Sequence, residues 1–453
     1  MLRTIRHTFL AGVAIALVAF IASACVGLMN RAPATATAAG APPESPQPLS
    51  DLYKPRPLEG EPIIRVRIAQ DTRTATIAGA QRVTVTPPGI DPELLILRTP
   101  VVVRRSALGW SVTSEGDTRK IEDAPRATES LATALVIKPL ADELITLDGT
   151  ALPGWLALHA PDRRAEFDVV EHVNIEAYLP GVVTKELYST WRPETFQAQA
   201  IAARSYALHE RARRRSLGSY YDVVSTTQDQ AYGGATQHTV AHQAVRDTAG
   251  LVLTWDGSIL RTYYSSTVGG RAASAADTWP IEPGFEFNLA EPIQASPRGD
   301  EDRISPRFRW EATRTTREIG ARLRAYADGR TATLKGIGTV RSIEVIERND
   351  FDRPVRYRVT DTKGDRYEMR AEALRMALNH PAAGYKDIDR DTRVYSSDMD
   401  IAFRGDTATI RGRGFGHGVG MSQFGAEALA RDGWDPERIL LYYYPGARIE
   451  RAY

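Results

Sequence analysis

The run Gly412-Arg-Gly-Phe-Gly-His-Gly-Val-Gly-Met-Ser-Gln-Phe-Gly425 places six glycines within fourteen residues. Glycine weakens helices and strands, but it reaches backbone angles closed to other residues and lets the main chain approach a neighbour closely. This segment therefore has to be a loop, and a helical pattern from Gln423 to Arg431 comes after it, with Gly433 as a stop. A glycine-rich loop feeding a helix suggests a polar ligand site or, on the plainer reading, a turn that only solves geometry. Phosphate signatures do not fit. No register gives glycines at positions one, three and six, and no Gly-Lys pair is present. The serine-hydrolase elbow fails at Phe424, where a glycine is required.

The 453 residues allow two or three domains, and a net charge of +1 gives no electrostatic case for nucleic acid. The amino terminus reads as a targeting segment. Arg3, Arg6 and His7 precede an uncharged run from Phe9 to Met29. Within it, Ala22-Ser-Ala-Cys25 holds the single cysteine of the chain, in the setting of a bacterial lipoprotein cleavage site with Cys25 as the lipidated residue. A transmembrane anchor and plain secretion are the alternatives, and all three place the remainder outside the cytoplasm. Residues 1–25 are thus expected to be the leader or anchor and 26–61 a Pro/Ala/Thr-rich tether.

From Ile63 the pattern turns to alternating apolar residues broken by Gly, Asp and Pro, as in Ile63–Ile68, Arg82–Thr86, Leu94–Val103 and Ala134–Lys138. This predicts a β-rich domain over 62–164. An alanine-rich helix is expected to begin at Pro193, a good first helical residue, and to stop at Gly218. The run Tyr178–Lys185 before it reads as strand-like. Short strands are expected near Asp222, Leu251–Trp255 and Ile259–Ser265. A mixed segment, with a helix near Thr316–Ala327 and strands near Arg341–Arg348 and Arg356–Thr360, suggests an inserted subdomain at about 300–395 within a domain spanning 165–453. The expected class is mixed α/β (α+β), rich in strands.

Glu186 lies between an apolar run and Trp191, where desolvation would raise its carboxyl pKa and suit it to general acid work. Taken alone, such a glutamate is far more often structural. His238 and His242 have helical spacing but lack the glutamate of a zinc protease, and an exposed pair is the plainer reading. Ser422 with His417 as its base would be a third chemistry, although one glycine loop rarely supplies both members of such a pair.

Six motifs then occur in an order that resembles the stage II sporulation protein D family (SpoIID/LytB). They are Tyr178–Glu186, Ala198–Tyr206, Gln230–Gly234, Ser265–Gly270, Gly412–Gly425 and Tyr443–Gly446. The resemblance covers roughly residue 165 onward. It implies a cell-envelope protein acting on peptidoglycan. Lytic transglycosylation of MurNAc-GlcNAc bonds in peptide-poor strands is the expected activity, with Glu186 as the catalytic acid/base. A non-catalytic enhancer of an N-acetylmuramoyl-L-alanine amidase is the alternative. The residues carried over as substrate-binding are Arg204, Tyr206, Gln230, Tyr232, Ser265 and Ser266. Gly270, His417, Gly418, Ser422 and Gln423 complete that set. No metal or cofactor is implied, and the expected partners are glycan strands, the membrane through the N-terminal anchor, and a cell-wall amidase. The chain departs from the family pattern at Gln197, Tyr264, Arg271 and Asp352-Arg-Pro354.

Overall fold

The computed structural model describes residues 59–453 apart from 90–92, 123–133, 161–164, 329 and 331–333. Cys25, and the expected leader and tether up to residue 58, lie outside the described residues. Among the described residues no helix is long and apolar enough to cross a membrane.

The first half is a pair of sheets sharing one apolar core. In the seven-stranded sheet, Phe167–Asn174 pairs antiparallel with Ile63–Thr72 on one side and Trp155–His159 on the other. The sheet continues through Leu135–Pro139 and Arg82–Thr86 to an edge at Leu95–Arg98. The six-stranded sheet is built around Thr74–Ala78, Val101–Ser106 and Gly109–Ser114. Alternation sends Val83 and Val85 from one sheet, and Val101, Val103 and Val112 from the other, into the same buried cluster. The run Leu94–Val103, expected as one strand, is two strands in different sheets, parted at Thr99-Pro100. Proline has no N–H for a ladder, so the run breaks there. The strand Phe167–Asn174 leads directly from the β-rich half into the first helix packed on it.

Two helices pack on this body, Ile175–Glu186 (the site helix) and Pro193–Ser216 (the long helix). The long helix ends two residues before Gly218, which adopts φ +69°. Its alanines Ala198, Ala200, Ala202, Ala203 and Ala207 have no solvent exposure, which lets neighbouring elements approach its backbone. One face joins the sheet core; the other joins a cluster with Tyr263, Val419, Met421, Ala426, Tyr443 and Tyr444. A separate core lies under Arg309–Thr315, Thr316–Ala327, Val340–Arg348 and Pro354–Asp361, with Ile319, Leu323, Tyr357, Val359 and Leu374 at its centre.

Candidate active site

The site helix carries Glu186 on its buried side. Ile175, Tyr178, Leu179, Val182 and Val183 recur at intervals of three and four, which is the stripe of an amphipathic helix. Glu186, three and four residues beyond Val183 and Val182, continues that stripe. The expectation of a strand-like run at Tyr178–Lys185 is therefore corrected: its two valines are adjacent, and they close a helical stripe that starts three residues earlier. Pro180 sits within the helix, and the Thr184 hydroxyl donates to its carbonyl at 2.8 Å. At Gly181 a Cβ would lie 2.2 Å from the Gly234 carbonyl and 2.6 Å from the Tyr232 ring. Only glycine fits, and this close approach brings the turn carrying Ala231 up to Glu186.

Glu186 is half-buried. Its Oε1 accepts from the Ala231 N–H at 3.4 Å and its Oε2 from the Gln423 side-chain amide at 2.9 Å. Burial raises its carboxyl pKa, and the Gln423 and Ala231 donors oppose part of that rise. The carboxyl also stands at the C-terminal end of its helix, where the dipole disfavours negative charge. A tyrosine–glutamine network lies alongside. Gln230 donates to the Ala203 carbonyl at 3.1 Å and to the Tyr264 hydroxyl at 2.9 Å, and accepts from Tyr178 at 3.2 Å.

The glycine loop delivers Gln423. Met421-Ser422 pairs in parallel with Tyr264-Ser265, and Ser422 caps the loop helix Gln423–Arg431, its side chain accepting from the Gly425 N–H. Gly420 has φ +70°, and a Cβ there would lie 2.0 Å from the Tyr263 carbonyl. That position demands glycine on both counts. Beside Glu186, an aromatic ledge is formed by Tyr188, Trp191 and Phe424, with ring centroids 4.9–5.8 Å apart. Tyr188 is 41% exposed.

Residues 163–255, which hold the site helix and most of its surroundings, match the family model of the stage II sporulation protein (SpoIID). Stage II sporulation protein D of Bacillus subtilis (strain 168) is 27% identical over 345 residues, spanning 73% of this chain and 88% of that protein. Over these residues the chain resembles the SpoIID family. A stage II sporulation protein D of Bacillus amyloliquefaciens is 27% identical over 308 residues, spanning 64% of the chain and 78% of that protein. The amidase enhancer of Bacillus subtilis (strain 168) is 26% identical over 295 residues, spanning 60% of the chain but 40% of the enhancer. Residues 286–420 match a second model, described as a domain of unknown function (DUF8618).

The residues expected to bind substrate divide into two groups. Gln423 touches Glu186 directly. Gln230 stands next to Ala231 and orders the tyrosines, and Tyr232 packs on Tyr178 with ring centroids 4.8 Å apart. Ser265 is buried, with Gly416 packed on its Cβ, and the Ser266 hydroxyl lies 3.4 Å from that of Thr267. Gly270 approaches the Asp300 carboxylate, and Gly418 lies against the guanidinium of Arg353.

Arg204 and Tyr206 are buried and are bonded inside the protein. Arg204 has no exposure; its guanidinium binds Glu176 at 2.9 and 2.7 Å and the Leu251 carbonyl at 3.0 Å. Tyr206 accepts from Arg261 and donates to Asp229. Both hold the long helix in place, since every strong donor they carry is already used inside the protein.

His417 and Ser422 are not paired as a base and nucleophile. The His417 Nδ1 accepts from the Val419 N–H at 3.1 Å, and burial pushes its pKa down to about 4. The Ser422 hydroxyl donates to Asp302 at 2.9 Å. His238 caps the helix Thr239–Asp247, and the His242 Nε2 meets the Thr236 carbonyl. Among the described residues no group of three His, Cys, Asp or Glu side chains is placed to share a metal ion.

Sequence reasoning does not reach the aromatic ledge or Asp302. The ledge has a signal, since Tyr188 and Trp191 come just after Glu186 and Phe424 comes just after Gln423. Asp302 has none, because its partners lie 33–120 residues away.

Proposed function

We propose that this protein is a cell-envelope lytic transglycosylase that cleaves MurNAc-GlcNAc bonds of peptide-poor glycan strands, leaving 1,6-anhydroMurNAc ends. The observation that carries the reading is Glu186 itself. It is a half-buried carboxyl with a raised pKa, two N–H donors and an aromatic ledge beside it.

In its protonated form, which burial favours, Glu186 donates its proton to the glycosidic oxygen as the bond from C1 to that oxygen breaks. Gln423 and the Ala231 N–H then stabilise the carboxylate. That carboxylate takes the proton of the same sugar's C6 hydroxyl while the C6 oxygen bonds to C1. The proton count closes and no water is consumed. The nucleophile belongs to the substrate, so its effective concentration is high and a second carboxylate is unnecessary. Tyr188, exposed and backed by Trp191 and Phe424, offers an apolar face on which a sugar ring can lie.

The second reading, a non-catalytic glycan-binding module that enhances an amidase, is favoured by the relative of that name. Anchoring through Cys25 or the apolar run around it belongs to either reading. Mass spectrometry of peptidoglycan, intact and amidase-stripped, after incubation with residues 31–453 separates the two. Anhydromuramyl products that vanish in Glu186→Gln support the transglycosylase. Their absence from both substrates transfers the case to the enhancer.

A further inference from the structure

Residues 286–420 match a family described only as a domain of unknown function, yet their side chains reach the site. Asp302, from that segment, is 1% exposed. Its Oδ2 accepts from the Val268 N–H at 2.6 Å, the Gly269 N–H at 2.9 Å and the Ser422 hydroxyl at 2.9 Å. One oxygen thereby ties the Ser265–Gly270 turn to the start of the loop helix. Ser422 caps that helix through the Gly425 N–H at 3.3 Å, and the very next side chain, Gln423, donates to Glu186. Glu301 accepts from the Tyr442 and Tyr443 hydroxyls, and Arg353 donates to the Arg271 and His417 carbonyls at 2.7 and 3.0 Å.

A buried carboxylate persists where several donors converge on it, and removing it leaves those donors unpaired. A brace that served stability alone would have no reason to end one residue from the side chain that holds Glu186. We propose that the segment 286–420 is a brace for the active site, with Asp302 as the positioning residue that aims Gln423 at Glu186 through Ser422. The proposal rests on the reading of Glu186 as the acid/base.

The test compares Asp302→Ala, Asp302→Asn, Gln423→Ala and the Asp302→Ala/Gln423→Ala double variant by two measures. The first is turnover of amidase-stripped glycan. Asp302→Ala is expected to lower kcat about 10- to 100-fold with little change in KM, since a displacement of about 1 Å at a reacting group costs about that much. Asp302→Asn keeps an oxygen at the junction and should restore most of the rate. In the Gln423→Ala background, Asp302→Ala should cost no more than about twofold, as expected of two residues acting as one unit. The second measure is the titration of Glu186 followed by carboxyl 13C NMR. Loss of the Gln423 donor raises the Glu186 pKa, so Asp302→Ala and Gln423→Ala should move it upward alike, by about half a pH unit or more.

Multiplicative losses, a wild-type rate in Asp302→Ala, or an unmoved Glu186 titration overturns the proposal. Should Asp302→Ala fail to fold, Ser422→Ala breaks the same link and is read by the same two measures. If the wild-type chain cleaves no glycan, the transglycosylase reading fails, and the NMR titration still decides the brace.

Discussion

Glu171→Gln should make the protein more resistant to alkaline unfolding, and the structure gives the size of the effect. Glu171 sits on the strand Phe167–Asn174 with no solvent exposure. The Gly154 N–H donates to its Oε1 at 2.9 Å, and the Tyr232 hydroxyl also bonds to it. Burial outweighs those donors and pushes its pKa up from 4.5 to about 7. At about 1.4 kcal/mol per pH unit, ionising this group in the folded protein costs about 3 kcal/mol relative to the unfolded chain.

Proton counting sets the sign. The folded state holds the proton more tightly, so the stabilising contribution is complete below about 4.5 and is lost as pH rises through 7. Glutamine keeps an acceptor for Gly154 and does not titrate. Urea unfolding followed by tryptophan fluorescence at pH 5 and pH 9, on both proteins, isolates the contribution, because other titrations cancel in the difference. The variant should gain about 2–3 kcal/mol on the wild type between those two pH values. A gap that changes by less than about 1 kcal/mol would mean that Glu171 does not carry a proton into neutral solution, and the reasoning from burial would fall.

Gly181→Ala forces a methyl against the Gly234 carbonyl and should cost at least about 1–3 kcal/mol in urea unfolding and lower glycan turnover with it. Arg204→Ala strands the Glu176 carboxylate and should destabilise by about 3–5 kcal/mol, read as a lowered thermal midpoint. Tyr188→Ala is expected to raise KM for glycan about tenfold while kcat holds, because it removes ring contact but no chemistry; an unchanged KM counts against the ledge. Burial pushes the pKa of His159 down to about 4, of His172 to about 3 and of His417 to about 4. Stability should therefore fall as pH drops from about 6.5 toward 4, and His159→Gln should flatten that slope.

Local patterns make much of the architecture legible. A helical pattern with Gly433 as its stop bounds the loop helix at Gln423 and Arg431, where the structure has it. The long helix begins at Pro193 as expected. The site helix is harder to see, because a stripe read from Tyr178 and not from Ile175 leaves two adjacent valines that look like a strand. Glu186 is legible as a carboxyl flanked by apolar residues. Gln423 as its neighbour is implied by resemblance and by nothing in spacing, since the two are 237 residues apart. The resemblance puts Arg204 at the substrate, whereas a carboxylate 28 residues away claims its guanidinium.

The distance along the chain between Glu186 and Gln423 also sets an order of events. Ribosomes release the amino-terminal part first, at roughly 5–20 residues per second. The chain thus exposes its carboxyl for at least about ten seconds before the amide that steadies it has been made. Contacts of such long sequence separation also form late in folding. The site is therefore complete only when the glycine loop has packed against the helix that came first.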